Sequence, residues 1–90
     1  MTDQTKHATH PAIVTRLKRA EGHLRSVIGM IEQGRPCVDL AQQLQAVEAA
    51  VGAAKRELIH DHIDHCLEAG AEGDDAAAAL TDLKAITKYL

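Results

Sequence analysis

From Ile13 to Ile31 the apolar residues return every three or four positions: Ile13, Leu17, Ala20, Leu24, Val27, Ile28 and Ile31. That period draws the inner face of a helix. Its other face carries Arg16, Lys18, Arg19, His23 and Arg25. Thr9 or His10 followed by Pro11 marks its start, because proline is tolerated in a first turn. Gly34 ends it, just past Gln33, and Arg35-Pro36 makes a tight connection to a longer run. Between Pro36 and Glu68, Leu40, Leu44, Val47, Val51, Ala54 and Leu58 step by four, three, four, three, four. Such a run keeps one apolar seam facing a partner along a single long helix. Gly70 to Asp75 reads as a loop, with Asp74 or Asp75 as the N-cap of a last helix, Ala76 to Leu90. Leu80, Leu83, Ile86 and Leu90 form that helix's stripe. No stretch alternates as a strand would. The pattern predicts an all-α protomer of three helices, the first two an antiparallel hairpin. Gly22, Gly29 and Gly52 fall inside these helices and cost about 1 kcal/mol each relative to alanine. Close approach of helices would account for them, and Gly52 could instead mark a kink.

Composition adds a constraint. Ninety residues with Tyr89 as the sole aromatic make one domain with a thin core, which points to oligomerisation to complete it. The polar segment 1–9 reads as a flexible tail and 10–90 as the folded domain. Net charge is −3, but Lys6, Arg16, Lys18, Arg19 and Arg25 load the first quarter. Asp61, Asp64, Glu68, Glu72, Asp74 and Asp75 load the last third, so a basic face can hide inside an acidic total. No apolar run reaches membrane-spanning length and no signal-peptide core is present, so a cytoplasmic protein with no membrane contact is expected. In that compartment two cysteines are more readily thiols or ligands than a disulfide.

Both cysteines and three of the six histidines lie in the long helix. His62 and Cys66 are four apart, so on a helix they point the same way and can grip one ion. Cys37 lies twenty-five residues from His62, about 37 Å along an unbroken helix. Metal–ligand bonds are only about 2.0–2.3 Å long. One straight helix therefore cannot close all three on an ion, whereas two antiparallel copies can, Cys37 of one chain meeting His62 and Cys66 of the other. A sharp break at Gly52 would remove that requirement. Two thiolates and an imidazole are a soft donor set that suits Cu(I), which accepts three-fold coordination. A fourth ligand from His7 or His10 would favour Ni(II) or Co(II). His60 and His65 crowd the same helix end as further candidates. Against this stands the plainer reading, with both cysteines as ordinary half-buried thiols and the histidines solvated.

The stretches RLKRAEGHL, PCVDLAQQLQAVEAAV and LIHDHIDHC resemble the copper-sensitive operon repressor (CsoR) family, with its nickel/cobalt-sensing RcnR and formaldehyde-sensing FrmR relatives. The resemblance covers roughly Ile13 to Leu90. It implies an all-helical homodimer that pairs into a homotetramer, represses efflux or detoxification genes, and leaves its operator when an effector binds at the dimer interface. Its ligand positions fall on Cys37, His62 and Cys66. Pro36 stands where copper sensors often have tyrosine. Asp82 stands where they often have glutamate, in the hydrogen-bonding network behind the ligands that links metal to DNA release. His7 and His10 resemble the tail histidines of nickel and cobalt sensors. Composition alone does not point to nucleic acid, since helix-turn-helix, zinc-finger and basic-zipper patterns are missing. The resemblance implies double-stranded operator DNA, with Arg16, Lys18 and Arg19 on the first helix and Lys55 and Arg56 on the long one as contacts. Ala53 replaces a basic residue often found just before that pair.

Rival readings share these residues. Cys37 could serve as the nucleophile of a formaldehyde sensor, or Cys37 and Cys66 of opposing chains could react with a persulfide or another sulfur electrophile. A metal buffer without a DNA target would need only the ligands. An enzyme is not expected, because the chain has no phosphate loop and no evident Ser–His–Asp set.

Overall fold

A computed structural model describes residues 10–72 and 76–90, so the tail 1–9 with His7, and the N-cap at Asp74 or Asp75, lie outside the described residues. Three helices appear in order: α1 (His10–Glu32), α2 (Cys37–Glu72) and α3 (Ala76–Thr87). Among the described residues there is no strand, and no helix is long and apolar enough to cross a membrane.

The α1–α2 turn follows from Gly34. Its φ of 76° lies in the left-handed region that only glycine enters cheaply. The Gly34 N–H donates to Ile31 O at 3.0 Å and the Arg35 N–H to Met30 O at 3.1 Å. This paired closure satisfies the last carbonyls of α1 and reverses the chain. Pro36 then opens α2, its carbonyl accepting from the Leu40 N–H at 3.1 Å. The hairpin is antiparallel: His23 meets Gln43, Arg16 meets Glu57 and His10 meets Asp61.

Two boundaries differ from the sequence reading. The expected loop at Gly70 begins later, because α2 continues to Glu72. Ala69, Ala71 and Glu72 are strong helix formers and outweigh the cost of one glycine. At the other end α3 stops at Thr87, where helix was expected to Leu90. There the Thr87 hydroxyl donates back to Lys84 O at 2.8 Å, and Tyr89 and Leu90 close tighter turns onto Ile86 and Thr87.

Gly52 does not break α2, which is continuous through thirty-six residues. The expectation of close helix approach at Gly22 and Gly29 fails within the protomer, because a Cβ at either would meet nothing within 4 Å. A Cβ at Gly52 would meet only the Arg56 guanidinium of its own helix, at 3.5 Å.

The protomer measures 58 × 23 × 13 Å. Its thinnest dimension is close to one helix diameter, about 10–12 Å, so the helices lie in a single layer. Consequently each apolar face divides in two. Ile13, Ala20 and Val27, seven apart, are buried against α2, which answers with Val47, Ala54 and Ile59. The other half of each predicted face stays open: Leu17, Leu24, Ile28 and Ile31 on α1, and Leu44, Val51 and Leu58 on α2, are 40–52% exposed.

Candidate metal centre

α3 folds back on the last third of α2, and this packing builds the site. His62 and Cys66, one turn apart, face Asp82 of α3. His62 Nε2 lies 2.8 Å from Asp82 Oδ2 and 3.3 Å from Cys66 Sγ, and Cys66 Sγ lies 3.5 Å from the same Asp82 oxygen. An ionised carboxylate only accepts, so the imidazole N–H at Nε2 and the thiol S–H both converge on Oδ2. The proton at Nε2 leaves the ring's lone pair on Nδ1, the tautomer choice that a carboxylate commonly imposes on a metal-binding histidine. Cys66 is 9% exposed. Burial pushes its thiol up from the ordinary cysteine range, and the Asp82 hydrogen bond and charge push it further. The group therefore holds its proton at neutral pH and must lose it to bind a metal.

His62, Cys66 and Asp82 offer three ligand atoms within 4.8 Å of one another, a set able to hold a metal ion. The donor chemistry fits a soft or borderline cation: one thiolate, one imidazole and one carboxylate within reach. Asp82 thus sits against both His62 and Cys66, a position that spacing could not give because it depends on how α3 meets α2. Cys37 is not brought to this cluster. It is the exposed first residue of α2, twenty-nine residues before Cys66 on the same unbroken helix. His60 and His65 are exposed on α2. His10, the first residue of α1, comes within 3.7 Å of Asp61, one residue before His62.

The proposed DNA contacts divide between two places. Arg16 and Arg19 line a groove of about 310 Å³ between α1 and α2, with His23 beside them and Ala20, Ala50 and Ala53 as its small-residue walls. His23 Nε2 is 2.6 Å from Gln43 Oε1, and Arg16 is 3.2 Å from Glu57. Lys18, Lys55 and Arg56 are exposed outside the groove. Gln43 and Glu57 were not singled out from the sequence. Only a hairpin register, set by the Gly34 turn, would have paired them with α1.

Comparison with known proteins identifies the family. Residues 9–89 match the family model described as metal-sensitive transcriptional repressor. The copper-sensing transcriptional repressor CsoR of Bacillus subtilis is 37% identical over 76 residues, 84% of this chain and 75% of that protein. CsoR of Mycobacterium ulcerans is 36% identical over 78 residues, 87% of this chain and 67% of its own. The copper-sensing repressor RicR of Mycobacterium tuberculosis is 38% identical over 63 residues, 69% of this chain and 66% of its own. No solved structure matches the chain significantly. The chain belongs to the copper-sensitive operon repressor (CsoR) family of metal-sensitive transcriptional repressors, whose members are regulators and not enzymes.

Proposed function

We propose that the protein is a copper-responsive repressor: a homodimer, paired into a homotetramer, that releases operator DNA when Cu(I) is held by Cys37 of one chain with His62 and Cys66 of the partner subunit. The observation that carries this reading is the continuity of α2, with a thiol at its start and a thiol–imidazole pair near its end. At about 1.5 Å per residue the two ends stay some 37 Å apart within one chain.

The open stripe of α2 supports a two-fold arrangement. Leu44, Val51 and Leu58 are seven apart, and Cys37 continues that series one step earlier. The positions are symmetric about Val51: turning one stripe end over end on a copy of itself sets Leu44 against Leu58 and Val51 against Val51. It also sets Cys37 against position 65, between His62 and Cys66. An isologous contact of this kind uses one patch twice. Leu17, Leu24, Ile28 and Ile31 on α1 supply a second open apolar surface for pairing dimers.

Copper is favoured by the donor set and by the copper-sensing relatives. Cys66 changes from a thiol bonded to Asp82 into a thiolate ligand, and Cys37 ties the start of one α2 to the end of the other. Both changes act on the helix that also carries Lys55 and Arg56. By linkage, an effector that prefers the DNA-free arrangement weakens DNA binding by the factor by which DNA weakens effector binding. Anaerobic Cu(I) titration of a complex with the gene's upstream DNA tests this. Release near one Cu(I) per chain is expected, and DNA affinity unchanged at saturating Cu(I) refutes it.

A further inference from the structure

The groove residue Arg16 does not face solvent alone. Its Nη1 lies 3.2 Å from Glu57 Oε1 across the hairpin, the Arg16 side chain half exposed at 52% and the Glu57 side chain one-third exposed at 33%. The pair is close but badly aimed: Oε1 is shut off from solvent, and no hydrogen bond is aligned on it. By distance this is an ion pair, yet it lacks the directed N–H···O contact that makes Arg–carboxylate pairs strong. Glu57 has been desolvated for little return. Arg16 meanwhile lines the groove with Arg19 and His23, so the α1–α2 crevice gathers two guanidiniums and an imidazole over a floor of alanines. Glu57 lies outside that lining, on the α2 side.

We infer that Glu57 is an internal competitor for Arg16, a counter-anion that a phosphate of the DNA backbone must displace, and so a built-in brake on DNA affinity. The inference rests on the DNA-binding reading and deepens it by naming a residue that sets the affinity. A phosphodiester in the groove offers Arg16 two acceptor oxygens in the geometry a guanidinium prefers, which the misaligned Glu57 does not. Displacement is therefore favourable, but it leaves a carboxylate to regain a cation, and this reduces the net release of ions when DNA binds. A brake of this kind keeps the chain from holding non-specific DNA at full strength while leaving the groove ready for a well-placed phosphate.

The test compares the full-length wild type, Glu57→Gln, Arg16→Gln and the double variant. Each is titrated with a duplex carrying the gene's own upstream region and with a scrambled duplex of equal length, across a salt series. Glu57→Gln keeps the side-chain shape and removes the charge. It is expected to tighten both duplexes by about two- to five-fold per engaged Arg16, the range of an exposed ion pair. It should also steepen the slope of log affinity against log salt by about 0.9 for each such arginine. In the Arg16→Gln background the effect of Glu57→Gln should vanish. Glu57→Ala, with helix content checked by circular dichroism, gives a second route to the same charge removal. Unchanged or weakened binding by both Glu57 variants overturns the inference, as does a gain that persists without Arg16. A wild type that binds neither duplex overturns the DNA-binding reading with it, whereas wild-type binding indifferent to Glu57 overturns this inference alone. Inorganic phosphate at millimolar concentration serves as a further arm: protection of Arg16 by phosphate without DNA binding would assign the groove to a free anion instead.

Discussion

Val51 sits where the account is most exposed to failure. If two copies of α2 pack end over end, this residue lies on the two-fold axis and meets its own copy. In the protomer Val51 is 44% exposed. Full burial of such a side chain is worth about 1.5–3 kcal/mol, so the part still available to a partner is about 0.7–1.3 kcal/mol per chain, twice that per dimer. Val51→Ala should forfeit most of this, weakening the dimer about ten-fold. Val51→Glu adds two carboxylates face to face. At about 5 Å and an effective dielectric near 20 their repulsion is about 3 kcal/mol. Together the two effects come to about 5 kcal/mol, on the order of a thousand-fold or more in dimer dissociation. Alanine and glutamate are both better helix formers than valine, so α2 itself should not suffer. Analytical ultracentrifugation over a concentration series reads the outcome, with circular dichroism as the check on helix content. A Val51→Glu protein that keeps the wild-type mass and concentration dependence would refute the two-fold packing, whatever the metal chemistry.

Other outcomes follow from the protomer's own geometry. Cys66 has its thiol raised by burial and by Asp82, so a maleimide probe at neutral pH should label exposed Cys37 well before Cys66. Asp82→Asn should narrow that difference, and equal labelling of the two cysteines in wild type would contradict the burial of Cys66. The sign of the pH effect is fixed by the same shift. The folded state holds the Cys66 proton beyond the pH at which the unfolded chain would lose it, so this stability term is full below the unfolded value and declines as pH rises towards the folded one. Metal binding must expel that proton, so Cu(I) affinity should climb with pH over the neutral range, with proton release detectable in weakly buffered solution. Affinity independent of pH would mean that Cys66 is not a ligand. Gly34→Ala places a Cβ at a φ of 76° and should cost about 1 kcal/mol in urea unfolding, without changing the DNA or metal chemistry.

The sequence was most informative where the backbone leaves a chemical mark. Pro11, Gly34 and Pro36 place the start of α1, the turn and the start of α2 within a residue, because each of them restricts or frees φ in a way no neighbour can imitate. The end of α2 carried no such mark. Gly70 looked like a stop, yet alanines and a glutamate carried the helix past it. Periodicity also told only part of the truth about the faces. The three–four stepping of Leu40 to Leu58 is the sum of two stripes, one used inside the protomer and one left open, and a helical wheel cannot separate them. His62 with Cys66 was legible because the two share one helix and a spacing of four. The pairing of Asp82 with both, and of Glu57 with Arg16, depends on the registers of α3 and α1 against α2, which no local spacing encodes.

The shared site itself is tested most directly by mixing two crippled chains. Cys37→Ala and Cys66→Ala proteins should each fail to bind Cu(I) tightly as homodimers. Exchanged through mild denaturant and refolded together, half of the dimers become mixed, and each mixed dimer holds one intact site, Cys37 from one chain facing His62 and Cys66 from the other. About one quarter of the wild-type copper stoichiometry should return, as an isologous interface requires. No recovery on mixing, or tight binding by the Cys37→Ala protein alone, would contradict a site divided between subunits.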